Sequence, residues 1–493
     1  HRRGHLTEPP LKPKHADSSE EQPPMTTRRF REKPKPAPPT AKPSKESTQA
    51  GARDELSARR RDVVFANLIL TCFALALLST ALNTALPQLT ADLGVAADRG
   101  QLIVSGYALA LAVFMPLSAF LVTRFPTKPL YCLAVGLFAL SVAASALAPG
   151  FWPLMAARIV QACANALVSN LTQVSIISLF PEGQRGQRMG WFGFTQGAAP
   201  VIAPAFGGFV TDAFGWRAVF WFVFALALAS FVLAVAAMGN ILDSRPKSFD
   251  VPSFVLSAFA VGGISLGLGG LVSLRSHAAT TVAELAVGLA AAIAFVLRQG
   301  KLREPFLKVQ LLGRPQYRTA VIGSMAAYFI AMGSSVVLPL HLQTVLGLSA
   351  SASAAAVLPG AICMTLISPL AGKTFDKHGI RPLAAISFAA FVLGCVGFCA
   401  LGGSELPFVL SGLYALPCCA FPIVQMPLVT WGNSCLEQAD MPHGLALLTL
   451  ARNVAGSLGI AVGVALMQEA GLAAAYACMA VASLLILLPT RCR

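Results

Sequence analysis

Fourteen apolar runs, each long enough to cross a bilayer, constrain this chain more than any other feature. They fall at about 63–86, 102–124, 129–149, 152–179, 187–212, 217–238 and 251–274, then at 281–298, 318–347, 353–375, 381–402, 405–431, 443–468 and 471–489. A hydrocarbon core of roughly 30 Å takes about 20 apolar residues as a helix, or about 10 of alternating polarity as a tilted barrel strand. These runs have the helical length and no alternation. Backbone groups inside lipid must be satisfied within each segment, so the expected fold is an all-α polytopic membrane protein with about 14 transmembrane helices. The two runs between 251 and 298 are rich in Gly and Ala.

Charge agrees with this reading. The 493 residues are 12% charged, where soluble proteins carry roughly 25%. The net charge of +15 raises the question of nucleic acid, but no soluble domain is available to carry a basic, aromatic-interleaved surface, so that partner is excluded. The excess follows the loops instead. With the N-terminus in the cytoplasm, inner loops and the C-terminal end hold Arg124, Lys128, Arg185, Arg188, Arg245, Lys247, Arg298, Lys301, Arg303, Lys308, Arg314, Arg318, Lys373, Lys377, Arg381, Arg491 and Arg493. Outer loops hold Arg99, Arg217 and Arg275, three cations against seventeen. That bias orients an even number of spans with both termini cytoplasmic, in an inner or plasma membrane. The inner loop at Glu437 and Asp440 has no Lys or Arg of its own.

Residues 1–61 differ from the rest. They are rich in Pro, Lys and Arg, with Phe30 as their one aromatic residue, and cannot bury enough apolar surface to offset the entropy of ordering. A disordered basic cytoplasmic tail is expected, either solvated or resting on anionic headgroups. The chain opens on His1, and Met25 offers an alternative start. The eleven cysteines lie almost entirely inside apolar runs without metal-ligand spacing, so they read as small buried hydrophobes and no metal or cofactor is expected. HExxH and a phosphate-cradling Gly-Lys loop are both missing, which argues against a membrane-embedded enzyme.

Two loops are similar to one another. Residues 119–128 read AFLVTRFPTK and residues 372–381 read GKTFDKHGIR, so that Gly372 aligns with Ala119, Asp376 with Thr123, Gly379 with Pro126 and Arg381 with Lys128. In the second copy a Gly lets helix ends approach, and Asp376 can cap a neighbouring helix N-terminus. The loops are equivalent if 62–240 and 301–493 are two six-helix bundles, with two linker helices at 241–300. Duplicated halves of this kind enclose a substrate site at the membrane midplane.

The Gly372–Arg381 loop resembles the signature loop of the major facilitator superfamily, and the count of fourteen resembles its drug–proton antiporter branch. Helix 5 carries Gly197, Pro200, Pro204, Gly207 and Gly208, similar to the branch's antiporter motif, with Ala199 and Ala203 where glycine is usual. Helix 4 carries Arg158 and Gln161, similar to the embedded arginine motif, with Ala162 in place of Gly. Pro339–Gln343 ahead of Leu346–Ser349 is similar to the end of helix 9 in the branch. The resemblance covers about 63–489. It implies alternating-access export of small amphiphilic molecules, coupled to protons. A related uncoupled importer or facilitator is the rival reading. Helix 1 departs from the pattern: Leu78 stands where the branch has an Asp before Ser79, and no acid is clearly placed inside the bundles, which sets carboxylate-based coupling in doubt.

Residues for a substrate or proton pathway follow from polarity inside apolar runs. Arg158 lies about 9 Å from the outer end of its run and Arg452 about 13 Å from the inner end of its own, at 1.5 Å per residue. A mid-membrane arginine costs about 2.5–3.5 kcal/mol on insertion scales, so each should face a cavity or a partner. Snorkelling is the alternative for Arg158, and an interhelical hydrogen bond for Arg452. His341 is a candidate proton carrier because histidine titrates near neutrality, or equally a hydrogen-bonded packing residue. Asn83, Gln343, Tyr107, Asn165, Asn170, Gln173, Gln196, Tyr328 and Gln425 are candidate wall groups or interhelical contacts. Two embedded arginines without an embedded acid favour anionic or neutral cargo over cations.

Overall fold

A computed structural model describes residues 45–242, 249–271, 274–302, 304–401 and 406–491. The tail expected at 1–61 falls outside the described residues up to position 44. From there α1 (Lys45–Asp92) reaches back into the stretch read as tail. The last proline before it is Pro43, and Glu, Ala, Arg and Leu make up most of positions 46–61; these are good helix formers. Residues Leu56–Arg493 make one compact unit, which contains every membrane-length helix.

After α1 come α2 (Ala97–Arg124), α3 (Thr127–Ala146), α4 (Phe151–Leu179), α5 (Glu182–Phe214) and α6 (Trp216–Ala237). The linker helices are α7 (Val251–Gly270) and α8 (Leu274–Lys301). The second bundle holds α9 (Pro315–Thr344), α10 (Ala350–His378), α11 (Ile380–Leu401), α12 (Pro407–Ser434), α13 (Met441–Ala470) and α14 (Leu472–Ser483), the last continuing through a 3₁₀ turn at Leu484–Leu487. No strand occurs among the described residues, and fourteen of their helices are long and apolar enough to cross a membrane.

Each helix buries one stripe and leaves large apolar side chains on the other, as a lipid-facing surface requires. Leu133 and Leu140 on α3, and Leu366 and Leu370 on α10, are exposed, while Tyr131, Phe138, Phe391 and Phe398 are enclosed. The face where α1 enters and α2 ends is the basic face. Here α2 meets α13: Ala119, Phe120 and Ala446 share one apolar cluster with Phe306 and Leu307 from the segment leading into α9. Phe120, Phe249, Phe254 and Phe306 form one cluster of rings, mostly tilted or edge-on, with neighbouring centroids 5.3–6.3 Å apart. The linker hairpin therefore rests on α2 and α13 together. The acidic α12–α13 loop also finds its counter-charge here, since Asp440 pairs with Lys308.

The hairpin's own closure is ionic. Arg298 donates to both oxygens of Asp250, at 2.8 and 2.9 Å, and these bonds hold the carboxyl below its ordinary range. A depressed carboxylate contributes stability above its unfolded value of about 3.9 and loses it as pH falls through the lower folded value. Thermal unfolding of the wild type should accordingly show a stability decrement below about pH 4 that Asp250→Asn lacks. Parallel pH profiles for the two proteins would dismiss this contribution.

Candidate functional site

Between the bundles lies a cavity of about 330 Å³. Six helices besides α5 wall it: α2 with Met115, α4 with Asn165, Ser169 and Gln173, α9 with Tyr328 and Met332, α10 with Met364 and Ser368, α12 with Phe421 and Gln425, and α13 with Thr449, Arg452 and Asn453. Helix α5 adds Phe192, Gln196 and Pro200. Both halves contribute to one space near the middle of the membrane-spanning region.

Arg452 is the charged group in this wall. Its guanidinium carbon sits 4.9 Å from the centroid of the Tyr328 ring, which itself packs edge-on against Phe421 at 5.2 Å. The arginine is 9% exposed, and its Nε and Nη1 have no hydrogen-bond partner among the described residues. No Asp, Glu or His is among the lining residues. Desolvated cations are normally paired, so this wall carries an uncompensated positive charge.

Arg158 is placed differently from the favoured expectation. It does not line the cavity, nor does it snorkel: 1% of it is exposed. Its Nη1 donates to Gln161 Oε1 at 2.7 Å, and Gln161 Nε2 in turn donates to Ser145 Oγ at 2.8 Å and to the Ser141 carbonyl at 3.1 Å. The guanidinium carbon stands 4.0 Å from the centroid of the Tyr107 ring. Asn165 Nδ2 donates to the Tyr107 hydroxyl at 2.7 Å, and Ser169 Oγ donates to Asn165 Oδ1 at 2.8 Å. Arg158 thus sits one layer behind the cavity, and Tyr107 and Asn165 connect it to the wall.

The remaining pathway candidates scatter. His341 is buried near the end of α9, away from the lining set, with no side-chain hydrogen bond among the described residues. Gln343 and Asn83 are exposed. Asn170 ties the bundles together by donating to Ser118 Oγ at 2.9 Å and to the Pro442 carbonyl at 3.4 Å. Leu78, at the position where a carboxylate is expected by resemblance, is buried in the core of the first bundle.

The helix 5 motif splits between two neighbouring helices, the cavity and open space. A Cβ on Gly197 would meet Thr365 of α10 at 2.8 Å, and one on Gly207 would meet Thr84 of α1 at 2.5 Å, whereas Gly208 faces open space. Pro200 lines the cavity; Pro204 is exposed. Helix α5 stays continuous through both prolines. The tighter stripe begins earlier, at Gly186, Gly190 and Gly193, in a stretch that reads as basic loop from its arginines. A Cβ added at Gly372 would lie 2.0 Å from the Gly186 carbonyl oxygen, and one at Gly190 2.6 Å from the Ser368 carbonyl oxygen. Over this crossing Asp376 accepts from the backbone N–H groups of Gly186 and Gln187, both at 2.7 Å, near the positive end of the α5 dipole. Gly379, with φ +73°, ends α10 in a left-handed conformation that favours glycine. Arg381 follows in the first turn of α11.

The contacts of Gly186, Gly190 and Asp376 fall between the cavity and the basic face, whereas that of Gly207 lies beyond the cavity toward the other end of α5. The Gly186, Gly190 and Asp376 contacts close that side.

A sequence profile described as Major Facilitator Superfamily matches residues 68–460. An MFS-type transporter of Bacillus subtilis, YcnB, is 31% identical over 83% of this chain and 87% of its own. The lincomycin resistance protein LmrB of the same organism is 30% identical over 82% and 85%. Among solved structures, the Escherichia coli fucose:proton symporter FucP aligns with a TM-score of 0.61 at 14% identity, over 87% of this chain and 98% of its own.

Proposed function

Because this chain belongs to the major facilitator superfamily, we propose that it is an exporter of small amphiphilic molecules that works by alternating access and is driven by the proton gradient. One observation carries this reading: a cavity walled by both bundles and sealed on the basic face by a glycine-on-glycine crossing of α5 and α10. Such a crossing can separate without tearing interdigitated side chains. In the proposed orientation the basic face is cytoplasmic, so the described conformation is closed toward the cytoplasm, as the state from which an exporter releases its cargo must be. The likeness to a lincomycin resistance protein supports drug-like cargo.

The lining suits such cargo. Met115, Met332, Met364 and Met426 supply flexible, polarizable surface, which adapts to varied apolar shapes. Expression in an efflux-deficient bacterial strain, followed by a resistance screen, tests the export reading. Raised tolerance to a set of amphiphilic compounds is expected, lost on collapsing the proton gradient. Unchanged tolerance across the set, with the protein present in the membrane, contradicts it.

His341 is the proposed proton carrier, since it is buried and without a side-chain hydrogen bond among the described residues. Export driven by an imposed pH gradient should fall at least tenfold in His341→Ala, while counterflow without a gradient persists. Full gradient-driven export in that variant removes His341 from the pathway.

A further inference from the structure

We infer that Arg452 is the docking group for the anionic head of an amphiphilic substrate, and that the aromatic and methionine wall beside it takes the apolar body. This deepens the export reading and rests on it for the word substrate, though not for binding.

The inference starts from a charge without a partner. Arg452 is nine-tenths buried, its Nε and Nη1 are unbonded, and it lines the cavity shared by both bundles. The contact to the Tyr328 ring face engages the guanidinium plane but satisfies none of its in-plane N–H donors. Those donors form a fork that matches a carboxylate or sulfonate, through short charge-assisted bonds.

Nothing in the wall competes for that fork. The polar lining groups are amides, hydroxyls and a phenol, and no carboxylate is among them. Arg158, one layer back behind Tyr107, has no acid partner among the described residues either: its polar contact is Gln161. The field of two arginines therefore points one way, and a cationic ligand would meet it with nothing to offset its own charge. The apolar requirement is equally specific. Phe421 and Tyr328 form an edge-on pair next to the guanidinium, and Met332, Met364 and Met426 complete that side. A free inorganic anion would leave this surface unused, whereas an aromatic acid uses both parts.

Three dansyl compounds of nearly equal size test the assignment: dansylglycine (carboxylate), dansylglycinamide (neutral) and N-dansylethylenediamine (cation). Binding to the full chain in lipid nanodiscs should fall in that order, the carboxylate at least tenfold tighter than the amide. Arg452→Gln should erase the difference between acid and amide, and Arg452→Lys should retain part of it. The wild-type ordering needs no variant, so a variant that fails to fold leaves the inference testable. Equal binding of acid and amide by the wild type overturns it, as does tightest binding of the cation. An acid preference that persists in folded Arg452→Gln does so too, assigning the preference to other groups or to an annular lipid. Should the predicted order hold while none of the three compounds crosses the membrane of proteoliposomes, the Arg452 assignment stands and the export reading fails.

Discussion

Gly372→Ala is expected to lower transport about fivefold or more without unfolding the protein. The added Cβ would lie 2.0 Å from the Gly186 carbonyl oxygen and 2.6 Å from its carbon. Both are backbone atoms in a helix and cannot swing aside. The bundles must part locally, and the two hydrogen bonds from the α5 backbone to Asp376 lengthen with them. Overpacking of this kind costs about 1–3 kcal/mol. In the proposed alternating-access cycle the cost falls on the basic-face-closed conformation, where the two glycines meet. Population would shift toward the other state by roughly 5–150-fold, given that 1.4 kcal/mol is a factor of ten. Gly183→Ala, one turn away in α5, meets nothing within 4 Å and should transport as the wild type does. Comparing initial rates in proteoliposomes at matched protein content decides the matter. Equal rates for wild type and Gly372→Ala would show that the seal plays no part in turnover.

The second large effect belongs to Arg158. Arg158→Gln removes a guanidinium that is 1% exposed, leaving Gln161 Oε1 without its donor and the Tyr107 ring without its stacked cation. An orphaned buried acceptor costs about 1–3 kcal/mol. Arg158→Lys keeps the charge but cannot stack a plane on the ring, so it should rescue little. Both variants are expected to lose transport about tenfold or more and to melt at lower temperature. Tyr107→Phe separates the two consequences. It retains the ring under the cation but frees Asn165 from the hydroxyl, so its melting temperature should stay close to the wild type while transport falls. If Arg158→Lys transports normally, the planar stack is irrelevant and charge alone suffices.

Much of this architecture can be read from hydropathy, because lipid forces each spanning segment to satisfy its own backbone. The two-bundle plan also showed itself in the likeness of 119–128 to 372–381. Arg452 stood out for the same reason, as a cation in the middle of an apolar run. The cavity wall was less visible. Met115, Met332, Met364 and Met426 look like any other apolar residue in a helix whose every face is apolar, and periodicity cannot separate a lipid face from a cavity face. The same degeneracy sent Asn83 and Gln343 to exposed positions and left His341 off the wall. The glycine stripe of α5 was legible from position 197 onward; Gly186, Gly190 and Gly193 were masked by Arg185 and Arg188, whose charges mark a membrane boundary. A search for small residues at spacings of three and four across that boundary would have found them. In the stretch read as tail, helix α1 begins at Lys45, where the composition after Pro43 favours helix although the prolines before it do not.

The central claim is that the two bundles separate on the basic face during turnover. Gln184 of α5 and Lys377 of α10 are both exposed at that face, and spin labels introduced there through an unnatural amino acid leave the native cysteines in place. Double electron–electron resonance in lipid nanodiscs, with and without dansylglycine and across an acidic-to-neutral pH series, reports the distance between them. Two populations are expected, one at the separation of the sealed structure and one longer by several ångströms, exchanging weight as ligand and pH change. A single distribution that never moves, in protein shown to transport, would contradict alternating access at this seal.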